Sequence, residues 1–427
     1  MKVVYLVIDG AAGNPAVEKT ALQEAHKPNL DTIARKGRCG LVYTVERGVA
    51  PESDVAVLSI LGYDPQVYYT GRGPLEALGV GLELKEGWEI ALRGNFATVD
   101  PSTLEIVDRR AGRRIGGEEG ARLASAIDGM QLDNGNGYAK VRHTIGHRVV
   151  VVIGHKHHKL SYMITNTDPA YVRRGLISEA APVYVNKIAE ASPLEATKEV
   201  AVACRLVNEF TNKAIEVLSK HPVNEARRKQ GLPEANAVLL RDAGGKMPRL
   251  PPIERIFKPG LRYAALAEMP VEIGIASAAG FKVVSAPPPT GNVKQDYEIR
   301  ASLTLKALEE ADFVYVHIKG PDEPGHDGNC SEKRRIIEEI DRHFVGRLLD
   351  EGDNLAFIIT SDHATPCYLK AHSSDPVPLV VYCEGIAPDG VQRFDEESCK
   401  HGSLGVLESG TRILPLASKL ILEGCVE

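Results

Sequence analysis

Phe313-Val-Tyr-Val-His-Ile318 is apolar at nearly every position and stops abruptly at Lys319-Gly-Pro-Asp322-Glu-Pro-Gly-His326-Asp-Gly328. A short β-branched run of this kind reads as a strand buried on both faces, as in a parallel sheet. The same pattern recurs along the chain. Val3 to Ile8 ends at Asp9-Gly10, Leu355 to Thr360 ends at Ser361-Asp362-His363, and Pro378 to Tyr382 follows His372-Ser-Ser-Asp-Pro376. Helical segments are expected over residues 21–37, 298–310 and 333–351; the last carries Ile336, Ile337, Ile340, Phe344, Leu348 and Leu349 at helical spacing. The alternation predicts an α/β domain, a mostly parallel sheet flanked by helices.

The middle of the chain reads differently. Shorter strand-like segments (Asn95 to Val99, Arg148 to Gly154, Val238 to Arg241) accompany one long helical segment from Leu194 to His221. Gly/Pro clusters at Thr70-Gly-Arg-Gly-Pro74 and Pro248-Arg-Leu-Pro-Pro252 bracket it and suit inter-domain connections. The expected organisation is a discontinuous α/β domain of residues 1–78 and 253–427, with a smaller α/β domain inserted over 79–252. A chain of 427 residues is long enough for two such cores.

Composition narrows the function. A net charge of -6 argues against nucleic acid as the main partner. No apolar run reaches the roughly 20 residues needed to cross a bilayer, so no membrane partner is expected. The seven cysteines are scattered without a CxxC pair. That pattern predicts neither a disulfide framework nor a structural zinc site, and favours a cytoplasmic location. Nothing in the sequence specifies an oligomeric state.

Parallel strands present their carboxyl ends at one edge, where open α/β sheets bind ligands. Asp9, Asp322, His326, Asp362, His363 and His372 should therefore converge there. Each has an ordinary reading alone: an Asp after a strand is usually a loop residue or cap, and His372 a partly buried structural histidine. Together, carboxylates and imidazoles without cysteine suit Mn²⁺, Zn²⁺, Mg²⁺ or Co²⁺. Ser53, in Pro51-Glu-Ser-Asp-Val-Ala56, reads either as the N-cap of a helix starting near Asp54 or as a nucleophile at a helix N-terminus. A serine hydroxyl needs a base or a metal to become reactive. With Gly-x-Ser-x-Gly missing, the metal route is the one available.

Ile8-Asp-Gly, Pro51-Glu-Ser-Asp-Val-Ala, Leu61-Gly-Tyr-Asp-Pro, Gly71-Arg-Gly-Pro-Leu-Glu, Asp322-Glu-Pro-Gly-His-Asp-Gly and Ser361-Asp-His-Ala-Thr-Pro-Cys with His372-Ser-Ser-Asp-Pro-Val-Pro resemble the archaeal-type cofactor-independent phosphoglycerate mutases of the alkaline phosphatase superfamily. The resemblance runs end to end. It implies two divalent cations, Mn²⁺ foremost, with no 2,3-bisphosphoglycerate. Asp9, Asp362 and His363 would hold one with Ser53, and Asp322, His326 and His372 the other. It further implies that the inserted domain binds a small anionic phosphorylated substrate, with candidates Asn95, Arg110, Arg113, Arg114, Arg148, Asp168 and Arg241. The plain alternative for each arginine is a solvated surface charge, favoured for at least half of Arg109, Arg110, Arg113 and Arg114.

The chain departs from the family pattern at Ala267–Gly274, which lacks a lysine, at Pro289–Tyr297, and at Asp242, where glycine is expected. Lys319, Lys294 or Lys246 could replace the missing amine. The implied reaction is interconversion of 3-phosphoglycerate and 2-phosphoglycerate through a phosphoserine on Ser53, in glycolysis and gluconeogenesis. The rivals are a phosphatase or phosphotransferase with the same metal centre and another phosphorylated metabolite, or a non-catalytic metal-stabilised binding protein. Keeping Ser53 beside six ligands speaks against the last.

Overall fold

The computed structural model describes residues 2–423. In chain order the strands are β1 (Lys2–Ile8), β2 (Arg38–Val42), β3 (Glu89–Val99), β4 (Ile106–Asp108), β5 (Gln131–Leu132), β6 (Gly137–His143), β7 (Arg148–His155), β8 (Tyr171–Arg174), β9 (Ile177–Ala180), β10 (Ala237–Gly244), β11 (Tyr263–Leu266), β12 (Lys282–Val284), β13 (Phe313–Ile318), β14 (Leu355–Thr360), β15 (Val377–Tyr382) and β16 (Gly405–Leu407). They divide between two compact units. The first comprises Met1–Tyr69, Arg249–Glu268 and Ile275–Glu427; the second comprises Thr70–Pro248 and Met269–Gly274.

The first unit is built on an eight-stranded sheet in the order β12-β11-β13-β1-β14-β15-β2-β16. β1 lies between β13 and β14, parallel to both. Every residue of β13, and all but the first residue of β1 and of β14, is buried. This is the continuous burial that their unbroken apolar sequence requires. β15 runs antiparallel to β14, against the expectation of a parallel strand. No helical crossover intervenes between residues 360 and 377, so the chain simply turns back. The start of β15 therefore lies at the edge where β1, β13 and β14 end, and the loop before it delivers His372 there.

The helix expected over residues 21–37 is two helices, Ala21–Glu24 and Pro28–Lys36. Pro28 cannot continue the first and instead opens the second at N1. The cysteine expectation also needs correcting, since Cys330 and Cys367 form a disulfide. Cys330 opens the helix Cys330–Ile340 and Cys367 follows β14, so their pairing depends on tertiary proximity that no local spacing announces. The bond closes a loop across a sequence separation of 37. Replacing both cysteines with serine is expected to lower the stability of this unit by about 4 kcal/mol on the chain-entropy model. Denaturant midpoints of wild type and variant in non-reducing buffer measure this, and reductant should shift wild type alone.

The second unit holds a sheet in the order β10-β3-β7-β6-β5 with β4 beside β3, antiparallel throughout. One face packs Ile90, Leu92 and Phe96 of β3 against Leu206, Val207, Phe210 and Ala214 of the helix Lys198–Ser219. On the other face Ala77, of the helix Arg72–Gly79, clusters with Ala91 and Val150. This places Thr70 onward with the second unit, ahead of the expected residue 79. Residues 269–274 join it because two glycines let backbones meet. A Cβ on Gly274 would lie 1.9 Å from Leu75 O, and one on Gly79 would lie 1.8 Å from Pro270 O.

Candidate active site

Beyond the carboxyl ends of β1, β13 and β14 lie Asp9 and Asp362, on the loops that follow β1 and β14, and Asp322, which opens the short helix Asp322–Asp327 after β13. Asp362 Oδ1 accepts from the backbone N–H groups of Gly10 and His363, each at 3.0 Å. That leaves Oδ2 turned toward His363 Nε2 at 3.3 Å, while Asp9 Oδ1 lies 3.4 Å from the same nitrogen. Asp9 Oδ1 and Asp362 Oδ2 are buried with no hydrogen-bond partner among the described residues. Buried charged oxygens left bare are costly. Three donors around a cation at about 2.1 Å stand roughly 3.4 Å apart in tetrahedral geometry, which is the spacing of His363 Nε2 from both carboxylate oxygens.

A second group adjoins the first. Asp322 Oδ1 lies 3.5 Å from His326 Nε2 and 3.6 Å from His372 Nε2. The rings of His363 and His372 stack at 3.7 Å between centroids, bringing the two groups side by side. Each triad offers mutually close ligand atoms suited to one metal ion. Oxygen and imidazole donors without thiolate fit Mn²⁺, Zn²⁺ or a similar ion.

The electrostatics agree. Burial alone would raise Asp9, but Lys319, His363 and His317 outweigh it and hold the carboxyl well below its ordinary range. Burial and Asp9 raise Asp322, yet His372 and His363 bring it down to about 2. Burial disfavours charge on His363, but Asp362, Asp9 and Asp322 raise its imidazole to about 9. The pocket draws positive charge.

Ser53 is the first residue of the helix Ser53–Ile60, and Glu52, not Ser53, is its N-cap. The hydroxyl is therefore not spent on capping, and Ser53 Oγ lies 3.3 Å from His363 Nε2. Asp54, next in the chain, is buried and held by Tyr69 Oη at 2.6 Å.

In the second unit, strand alternation sorts the candidates. Arg93 and Asn95 share one face of β3, Arg241 lies opposite Arg93 on β10, and Arg148 opposite Asn95 on β7. Arg93, Asn95 and Arg241 are buried, and Arg93 Nε, Asn95 Oδ1 and Arg241 Nε have no hydrogen-bond partner among the described residues. The helix Arg72–Gly79 adds Glu76, whose Oε1 lies 2.8 Å from Arg72 Nε and 3.6 Å from Arg93 Nε. Burial, then Arg72 and Arg241, hold Arg93 well below the usual guanidinium range. Burial followed by Arg148, Arg110, Arg93 and Arg113 pushes His147 down to about 3. These groups form a partly desolvated cationic face, with unmet donors, that an anion would relieve.

The other candidates divide. Asp168 is completely buried and its two oxygens accept from Arg109 Nη2 at 2.8 and 2.7 Å, so it anchors Arg109. Arg109, in the arginine cluster whose plain reading is solvated surface charge, is instead half-buried and paired with Asp168. Arg241 lies over the Tyr171 ring at 3.8 Å. Arg113 and Arg114 are exposed, and Arg110 is half-buried.

Asp242, where glycine was expected, has φ of 58° at an irregularity in the β10–β3 pairing. Aspartate is among the few residues that tolerate this region. Of the lysines expected to replace the missing amine, Lys319 Nζ reaches Asp9 Oδ2 at 3.1 Å. Lys294 instead pairs weakly with Glu298 at 3.8 Å. In the Pro289–Tyr297 segment, Thr290 donates to Asp296 in the first turn of the helix Val293–Glu310, and Tyr297 Oη donates to Lys319 O at 3.1 Å.

His317 and Thr365 were not anticipated. His317 is buried, with Nδ1 3.1 Å from Tyr315 Oη and Nε2 3.5 Å from Asp362 Oδ2. A histidine inside an otherwise apolar buried strand was the available signal.

The 2,3-bisphosphoglycerate-independent phosphoglycerate mutase family model matches residues 34–224. A protein of that name from Aeropyrum pernix is 49% identical, covering 99% of this chain and 100% of its own. One from Ignicoccus hospitalis is 40% identical over 95% of this chain and 94% of its own. Among solved structures, the cofactor-independent phosphoglycerate mutase of Thermoplasma acidophilum is 32% identical with a TM-score of 0.59, covering 98% of this chain and 100% of that one. A Pyrococcus horikoshii protein is 30% identical with a TM-score of 0.75, covering 100% and 98%. With near-full-length identity at this level joined to the convergent carboxylates, imidazoles and serine, this chain belongs to the 2,3-bisphosphoglycerate-independent phosphoglycerate mutases.

Proposed function

We propose that the chain interconverts 3-phosphoglycerate and 2-phosphoglycerate through a phosphoserine on Ser53, with Asp9, Asp362 and His363 holding one divalent cation and Asp322, His326 and His372 a second. The convergence of these six side chains beside the Ser53 hydroxyl carries the reading. Bound cations, with Mn²⁺ the leading candidate, would lower the pKa of that hydroxyl and offset charge on the phosphoryl oxygens. The protein supplies the rest. Ser53 Oγ gives up its proton and attacks phosphorus, the P–O bond to glycerate breaks, and the freed glycerate oxygen takes a proton to become a hydroxyl. Glycerate then presents its other hydroxyl, which recovers the phosphoryl group from Ser53.

The substrate carries a carboxylate as well as a phosphate. Arg93, Arg148 and Arg241, braced by Glu76, suit that pair of anions, with Asn95 and Arg109 as further contacts. Lys319 stands in for the missing lysine. The substrate is a water-soluble metabolite, and a cytoplasmic setting goes with it.

The test incubates Mn²⁺-loaded protein with 3-phosphoglycerate, without bisphosphoglycerate, and follows 2-phosphoglycerate and free phosphate together. Production of 2-phosphoglycerate, lost on chelation and restored by Mn²⁺, is expected. Phosphate alone would make the chain a phosphatase, and turnover by fully demetallated protein would sink the metal reading.

A further inference from the structure

All three ligand histidines turn Nε2 toward carboxylates and Nδ1 toward a second partner. His326 Nδ1 lies 3.0 Å from Lys370 O and His372 Nδ1 lies 2.8 Å from Pro51 O. Carbonyl oxygens only accept, so both rings carry a proton on Nδ1, and in the neutral imidazole Nε2 is the nitrogen left to ligate. His363 is different because its Nδ1 faces a hydroxyl, Thr365 Oγ1, at 3.1 Å. A hydroxyl can donate or accept, and by itself would leave the ring's orientation undecided. The same oxygen, however, donates its single proton to Asp322 Oδ1 at 2.7 Å. It must then accept from His363 Nδ1–H, which commits Nε2 to Asp9, Asp362 and Ser53.

Thr365 is itself firmly held. It is fully buried, its N–H donates to Ala12 O at 3.0 Å, and Lys333 Nζ donates to both Thr365 O at 2.7 Å and Ala12 O at 2.9 Å. Its hydroxyl thus touches one ligand of each triad, His363 of the first and Asp322 of the second. We infer that Thr365 is the positioning residue that ties the two ligand sets together, fixing the ring of His363 and the oxygen of Asp322 through one hydroxyl. This rests on the two-cation reading above. Second contacts of this kind govern how well a ligand is presented, and their loss costs about 10–100-fold in metal affinity.

The experiment is a calorimetric titration of the metal-stripped full chain with Mn²⁺, without substrate, for wild type, Thr365→Val and Thr365→Ser. Thermal unfolding run in parallel checks that each is folded. Valine keeps the shape and loses the hydroxyl; serine keeps the hydroxyl. Expected is a loss of about 10–100-fold at both sites in Thr365→Val, with Thr365→Ser near wild type. Two wild-type affinities in Thr365→Val, or weakening at one site alone, overturns the inference. So does a serine variant as impaired as the valine one, since packing of the methyl would then be the cause. Wild-type protein that takes up no Mn²⁺ would instead refute the two-cation reading, a separate result.

Discussion

Replacing Ser53 with alanine is expected to abolish mutase turnover, by roughly 10⁴-fold or more, while metal content stays near wild type. The hydroxyl lies 3.3 Å from His363 Nε2 of the first triad and can carry a phosphoryl group between two positions of glycerate. Its loss removes no carboxylate or imidazole, and Glu52, not Ser53, caps the helix, so folding should be little affected. The check is the coupled assay for 2-phosphoglycerate together with metal analysis of the purified variant. Retained mutase activity would end the nucleophile assignment. Lost activity with lost metal would show that Ser53 acts chiefly as a ligand.

Gly10→Ala should be nearly as damaging, though it adds only a methyl group. Gly10 has φ of +59°, and a Cβ there would lie 2.7 Å from Asp322 Oδ1 and 2.8 Å from Thr365 Oγ1. The left-handed backbone alone costs alanine about 1–2 kcal/mol. The overlap is more serious, because the displaced atoms are a ligand and the hydroxyl joined to it, in a loop held by the Gly10 N–H bond to Asp362. Metal affinity at both sites should fall about 10–100-fold, and turnover with it. Gly48→Ala is the control: φ is +83° with nothing within 4 Å of the added Cβ, so it carries backbone strain without the collision. Equal Mn²⁺ binding by Gly10→Ala and wild type would contradict the crowding argument.

The convergence of carboxylates and imidazoles at one edge was legible in the sequence because parallel strands leave little freedom. β1, β13 and β14 are marked by unbroken apolar runs, and once they are parallel neighbours the residues after each must share one edge. Asp9, Asp322, His326, Asp362 and His363 follow from that rule, and Ser53 from its local motif. The rule would have misplaced His372 had β15 been parallel as expected; a strand entering antiparallel brings its leading loop to the same edge.

What only the tertiary structure decided were properties of packing across distant segments. The Cys330–Cys367 bond, the Arg109–Asp168 pair, the contact of Lys319 with Asp9 and the Thr365 hydroxyl between His363 and Asp322 each join residues that no local spacing pairs. Periodicity reports which face of an element is buried, and loop motifs report which chemistry is to hand. Neither says which side chain a given hydrogen bond will meet, since that depends on ångström-scale placement set by the whole core. The site's chemistry was therefore legible from residue types at strand ends, while its wiring came from the fold.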